Sequence, residues 1–128
     1  MRFLFLLLTA SALLAQKGDW AFYGGDAGGQ KFSDLKQIHA GNVSQLKQAW
    51  VYHTGDIYEE KGRRASAFEA TPLYLDGTLF LSTPFGRVIA LDPLSGKERW
   101  TFNAKANPRE GWGDFASRGV STWVDSKK

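Results

Sequence analysis

Ala70-Thr71-Pro72-Leu73-Tyr74-Leu75, Asp76-Gly77, Thr78-Leu79-Phe80-Leu81-Ser82-Thr83, Pro84-Phe85-Gly86, Arg87-Val88-Ile89-Ala90-Leu91-Asp92, Pro93-Leu94-Ser95-Gly96, Lys97-Glu98-Arg99-Trp100-Thr101-Phe102: this run decides the fold. Short β-rich stretches alternate with turn chemistry. Asp76-Gly77 is a strong two-residue hairpin signal, because glycine accepts the positive φ of a type I′ turn. Pro93 suits the first corner of a turn and Gly96 its end. The pattern predicts four antiparallel strands, at 70–75, 78–83, 87–92 and 97–102, joined as a meander. A lone sheet of that size leaves its faces and edges in need of cover. Radial repetition in a β-propeller is a common way to supply it.

Working outward, the pattern echoes. Trp100 ends the fourth stretch, and Trp50 ends Val43-Ser44-Gln45-Leu46-Lys47-Gln48-Ala49-Trp50, 50 residues earlier. Arg118-Gly119-Val120-Ser121-Thr122-Trp123-Val124-Asp125 matches Glu69-Ala70-Thr71-Pro72-Leu73-Tyr74-Leu75-Asp76 in character and reads as the first strand of a further blade. The expected fold class is therefore all-β: a partial β-propeller with one complete four-stranded blade and parts of two neighbours. Gly24-Gly25-Asp26-Ala27-Gly28-Gly29 is loop, since so many glycines cost too much backbone entropy for a regular element. It lacks the flanking strand, helix and Lys-Ser/Thr of a phosphate loop. Ser33–Ile38 is expected to hold a short helical turn capped by Ser33. Residues 57–67 form a charged, mixed-sign loop between blades.

The amino terminus is different material. Met1-Arg2 precedes Phe3-Leu4-Phe5-Leu6-Leu7-Leu8 and then Thr9-Ala10-Ser11-Ala12-Leu13-Leu14-Ala15. One positive charge, a short apolar core and a small residue before a polar break describe a secretory signal peptide over 1–15. The stretch is shorter than the ~20 residues of a membrane span, although an uncleaved anchor is the alternative. Residues 16–128 are then the propeller part. Removing 1–15 takes Arg2 from 16 positive charges and leaves 15 against 13 negative, a net +2. The absence of cysteine (Cys 0) excludes a disulfide framework, a thiolate metal site and a Cys nucleophile. Export without cysteine fits a periplasm. The basic residues are scattered, so no nucleic-acid partner is expected. Aromatics at 14% exclude a disordered chain.

Three segments together resemble the exported quinoprotein dehydrogenases, which use pyrroloquinoline quinone (PQQ) to oxidise alcohols and sugars. The first is Asp19-Trp20-Ala21-Phe22-Tyr23-Gly24-Gly25-Asp26, continuing through Lys31-Phe32-Ser33 to Ala49-Trp50-Val51-Tyr52-His53-Thr54-Gly55-Asp56. The second runs from Phe68-Glu69-Ala70-Thr71-Pro72 through Ala90-Leu91-Asp92 and Ser95-Gly96-Lys97-Glu98-Arg99-Trp100, similar to the family's repeat signature Ala-x-Asp-x-x-(Thr/Ser)-Gly-x-x-x-Trp. The third is Ser117-Arg118-Gly119-Val120-Ser121-Thr122-Trp123. Together they span residues 19–125, with the strongest likeness to the glucose-dehydrogenase branch.

The resemblance implies an eight-bladed propeller with PQQ near its axis. It also implies a divalent cation, usually Ca²⁺, that polarises the hydride-accepting carbonyl, and a carboxylate base. Two positions match cofactor contacts of the family. Glu69, at the start of a blade's innermost strand, would approach the polar rim of PQQ. Arg118, at the same place in the next blade, would pair with a PQQ carboxylate. Taken without the resemblance, both read as exposed surface charges. Thr71 and Ser117 are weaker candidates. His39 and His53 are isolated, and Asp26, Asp34 and Asp92 read as turn and cap residues.

Some alcohol dehydrogenases of the family carry adjacent cysteines shortly before the position matching Arg118. Gly111-Trp112-Gly113-Asp114-Phe115-Ala116-Ser117 has none, which favours sugar or polyol substrates. The family's metal ligands and catalytic base lie beyond the matched stretch, so the expectation is no catalytic and no metal-ligating residue here. The chain is expected to be an N-terminal fragment, inactive alone. The implied partners are an alcohol or sugar substrate and a respiratory acceptor, a quinone or cytochrome c, with membrane association left open. Two alternatives remain: a non-catalytic propeller acting as an envelope scaffold, and a small secreted β-protein that completes its sheets by oligomerising.

Overall fold

The computed structural model describes residues 18–62, 65–107, 110, 115–123 and 125. The expected signal peptide at 1–15 and Gly111–Asp114 lie outside the described residues. Among the described residues, six strands and one short helix are formed: a 3₁₀ turn at Val43–Gln45, then β1 (Ala67–Phe68), β2 (Leu73–Leu75), β3 (Thr78–Ser82), β4 (Arg87–Leu91), β5 (Glu98–Asn103) and β6 (Ala116–Ser117). The order β2-β3-β4-β5 makes one antiparallel four-stranded sheet, the predicted blade.

Each turn forms for the reason its residues suggest. Asp76 (φ 47°) and Gly77 (φ 69°) both take the positive φ of a type I′ turn between β2 and β3. Asp92 caps the β4–β5 turn, its Oδ1 accepting from the amides of Leu94 and Ser95 and from the Ser95 hydroxyl. The first strand is shorter than its sequence predicts. The Thr71 amide donates to the Arg118 carbonyl at 3.1 Å, and pairing with β3 begins at Leu73.

Side chains alternate between the two faces. Leu79 pairs with Leu91, and Leu81 with Ile89, so these four share one face. Trp50 and Tyr52 pack over them. The segment carrying Trp50 and Tyr52 is held down at the β4–β5 turn end of the sheet. The Trp50 Nε1–H donates to the Pro93 carbonyl at 2.9 Å, and the Tyr52 hydroxyl to Glu98 Oε2 at 2.6 Å. That bond favours the protonated phenol, so Tyr52 titrates above the ordinary tyrosine value, with desolvation adding to it. On the opposite face, Phe80 and Trp100 rings lie 5.8 Å apart. There the residues after β6 approach, and the Ser82 and Ser117 hydroxyls share a 2.7 Å hydrogen bond.

The chain thus has three layers: the 50–56 segment, the sheet, and the 115–123 segment. This is one complete blade between parts of two others. β1 and β6 pair in parallel, Ala67 with Ala116 and Phe68 with Ser117. That pairing is how the entry points of two successive innermost strands would meet at a propeller's axis. Trp20 adds an antiparallel bridge to Tyr74 on the outer side of β2.

Two local expectations are corrected. Ser33–Ile38 is not helical, although the Ser33 hydroxyl does accept from the Leu35 amide at 3.2 Å. The one helical turn among the described residues is Val43–Gln45, preceded by Asn42, whose Oδ1 accepts from the His39 amide at 2.8 Å. A serine–backbone bond two residues on closes a turn without committing the chain to a helix. Residues 118–123 form no strand, contrary to expectation; the strand pairing of this stretch lies just before them, at Ala116–Ser117.

Candidate functional site

The blade has two ends. One carries the β2–β3 and β4–β5 turns. The other carries the entry to β2, the Pro84-Phe85-Gly86 turn, the exit from β5 and the residues around β6. Glu69 and Arg118, the two sequence candidates, lie together at this entry end. Continuing the β1–β6 register by one step sets Glu69 opposite Arg118. Their side chains make a 3.4 Å ion pair, with Arg118 79% and Glu69 45% exposed. Two exposed charges in water hold one another weakly, so both remain available to a ligand. Gly119, at φ +149°, lets the two inner strands approach: a Cβ there would sit 3.3 Å from the Thr71 carbonyl oxygen.

Arg118 stands at the rim of a cavity of about 460 Å³. Its walls are mostly apolar, with Phe85, Ala104, Ala106 and Phe115 among them. Phe115 is buried and meets Phe85 edge-on at 5.9 Å and Tyr58 at 4.8 Å. Behind this wall lies a buried charge pair that the sequence reading did not single out. The Asp56 carboxylate, 7% exposed, accepts from the Arg87 guanidinium and from the Phe85 amide. Arg87 also donates to the Thr54 carbonyl. Asp56 and Arg87 are 31 residues apart, and neither lies in a motif with metal-ligand or catalytic spacing, so no local signal marked them.

The other candidates are placed as follows. Thr71 uses its amide on Arg118, and Ser117 its hydroxyl on Ser82. Neither lies on the exposed charge pair. His39 accepts from the Gly41 amide through Nδ1, a local turn contact. Asp26 and Asp92 are turn residues as expected, with Asp26 Oδ1 accepting from the Gln30 amide at 3.1 Å. Among the described residues no group of three His, Asp or Glu side chains could hold a metal ion, and no helix is long and apolar enough to cross a membrane. An aromatic tricarboxylate such as PQQ needs a cation, a polar rim and a stacking or apolar wall. Arg118, Glu69 and the Phe85–Phe115 wall fit part of that requirement.

The family model described as PQQ glucose/ethanol/alcohol dehydrogenase, β-propeller domain, matches residues 20–128. The quinoprotein glucose dehydrogenase of Escherichia coli (strain K12) is 43% identical over 103 residues, which are 80% of this chain and 13% of that protein. The quinohemoprotein alcohol dehydrogenase ADH IIB of Pseudomonas putida is 40% identical over 111 residues, 84% of this chain and 15% of that protein. The crystal structure of quinohemoprotein alcohol dehydrogenase from Comamonas testosteroni superposes with a TM-score of 0.67 at 32% identity, covering 88% of this chain and 16% of that one. The chain spans 13–16% of the length of these relatives.

Proposed function

The chain belongs to the glucose/ethanol/alcohol dehydrogenase family of PQQ β-propellers, and we propose that it is the amino-terminal part of an exported dehydrogenase that oxidises an alcohol or sugar with PQQ. The observation that carries the site assignment is the pairing of Glu69 with Arg118 at matched register positions of two adjacent inner strands. In this reading Arg118 releases Glu69 in favour of a cofactor carboxylate, which its planar guanidinium can grip with two hydrogen bonds. Glu69 then accepts from a polar group at the rim. The Phe85–Phe115 wall keeps water off one side. When bound, the quinone supplies the hydride acceptor. The Ca²⁺ ligands and the catalytic base belong to parts of the enzyme outside this stretch, and the electron acceptor, a quinone or cytochrome c, is a separate partner. The 113 or so residues here would therefore be inactive alone. The Arg2-led apolar stretch at 1–15 supports export as a signal peptide.

The reading is tested in a chimera in which residues 20–123 replace the matching stretch of the E. coli glucose dehydrogenase. The chimera should bind PQQ, seen as a shift in the absorbance of the quinone. Arg118→Gln should weaken that binding on the order of tenfold, as loss of one charge-assisted contact does. A chimera that folds but takes up no PQQ, or an Arg118→Gln variant that binds as tightly as its parent, overturns the assignment. The first of these results is also what a protein-binding scaffold would give.

A further inference from the structure

We propose that the buried Asp56–Arg87 pair is a positioning device for the cofactor site, setting the separation of Glu69 and Arg118 from behind. The inference rests on the cofactor reading above and goes past the two residues that would touch the ligand.

Asp56 is a node from which two arms lead to the two site residues. The first arm runs through the backbone. The Asp56 carbonyl accepts from the Ser66 hydroxyl at 3.1 Å, and Ser66 is locked to Tyr58 by two further hydrogen bonds, each 2.9 Å. Ala67 follows directly and opens β1, and Glu69 stands one residue past its end. The second arm runs through the carboxylate. Asp56 Oδ2 accepts from the Phe85 amide at 3.3 Å, and the Phe85 ring meets Phe115 edge-on at 5.9 Å. The Phe115 carbonyl accepts from the Ala67 amide at 2.9 Å, and Arg118 lies three residues on. Both arms therefore close on the same β1–β6 ladder.

That ladder needs the help. It comprises two residue pairs, too few to set a contact between two mobile, exposed side chains. Arg87, by contrast, is fixed: its amide donates to Thr83 Oγ1 at 3.1 Å, its carbonyl accepts from the Thr83 amide at 2.9 Å, and Thr83 is fully buried. The guanidinium transmits the rigidity of the β3–β4 hairpin to Asp56, and Asp56 to the ladder. A carboxylate this buried is costly to leave without such a partner. Placement errors far from a reacting or binding atom are known to be expensive.

The test uses the same chimera and the variants Asp56→Ala and Arg87→Lys, with Asp92→Ala and Arg99→Met as controls from the ion pair at the other end of the sheet. Asp56→Ala should weaken PQQ binding on the order of tenfold while kcat at saturating PQQ changes by less than about twofold. Arg87→Lys keeps the charge and loses the fork, so its loss should fall between Asp56→Ala and the parent. Amide exchange supplies a readout independent of the cofactor. The Ala67 and Thr71 amides, which bridge to the β6 segment, should exchange on the order of tenfold faster in Asp56→Ala, and the Tyr74 amide at the far end should not. Should Asp56→Ala fail to fold, Arg87→Lys decides by the same readouts. Undiminished PQQ affinity, equal loss in the control variants, or equal acceleration at Tyr74 overturns the positioning role. Failure of the parent chimera to bind PQQ overturns the cofactor reading, and this inference with it.

Discussion

The two ends of the blade solve the same problem, burying or neutralising charge near a turn, in opposite ways. At the turn end the partners are close in sequence. Asp92 holds Leu94 and Ser95 through its own turn and Arg99 at 2.8 Å, seven residues away. Nothing there waits for a ligand. At the entry end the partners are distant: Asp56 with Arg87, and Glu69 with Arg118. The outer pair is exposed and the inner pair is largely buried, Asp56 more than Arg87. An end built from local contacts can be made by the hairpin alone. The other end exists only when distant segments are assembled, and it is the one that carries the exposed Glu69–Arg118 pair.

The contrast can be broken or sharpened by substitution. Arg87→Met strands a buried carboxylate and should cost about 3 kcal/mol in chemical denaturation, whereas Arg99→Met removes an exposed partner and should cost less than about 1 kcal/mol. Equal losses would erase the distinction between the two ends. Next in size is a comparison inside the turn end. Gly96 and Gly77 share nearly the same φ, +67° and +69°, but a Cβ at Gly96 would lie 2.6 Å from the Trp50 ring while Gly77 has nothing within 4 Å. Gly77→Ala should therefore cost about 1 kcal/mol for its conformation, and Gly96→Ala about 2–4 kcal/mol because the indole must also move. Comparable melting temperatures for the two would mean that Trp50 does not dock there.

The smallest effect is pH-dependent. Hydrogen bonds from Arg99 and from the Ser95 hydroxyl and amide hold the Asp92 carboxyl well below its usual value of 3.8. The stabilisation is complete above that pH and is lost as pH falls toward the native value. Asp92→Asn should accordingly be less stable than the parent at pH 7, and the gap should narrow below pH 4. A gap that stays constant on acidification would show that the charge of Asp92 is immaterial.

Trp50 and Trp100 show how far local reading reaches. Their 50-residue separation was visible in the chain, but their fates differ. Trp50 has Gly96 and the Pro93 carbonyl as its seat, while Trp100 is 47% exposed on the face where a following blade would lie. Glu69 and Arg118 were singled out by the resemblance to the family and read as surface charges without it, and the parallel β1–β6 register brings their side chains together. The helical turn expected at Ser33 was not formed, because a serine that caps one bond fits a turn as readily as a helix.

By itself the sequence determined the blade. Alternating apolar residues, Asp76-Gly77 and the Asp92–Gly96 turn act over a few residues each, and hairpin chemistry of that range is written locally. Family membership was carried in the same way, by motifs in order. Only the tertiary structure decided that the Thr71 amide reaches the Arg118 carbonyl, that Gly96 is the seat of Trp50, and that Asp56 and Arg87 form a largely buried pair at the entry end. Those contacts join residues tens of positions apart, where burial and electrostatics depend on which layers meet and not on what neighbours what along the chain.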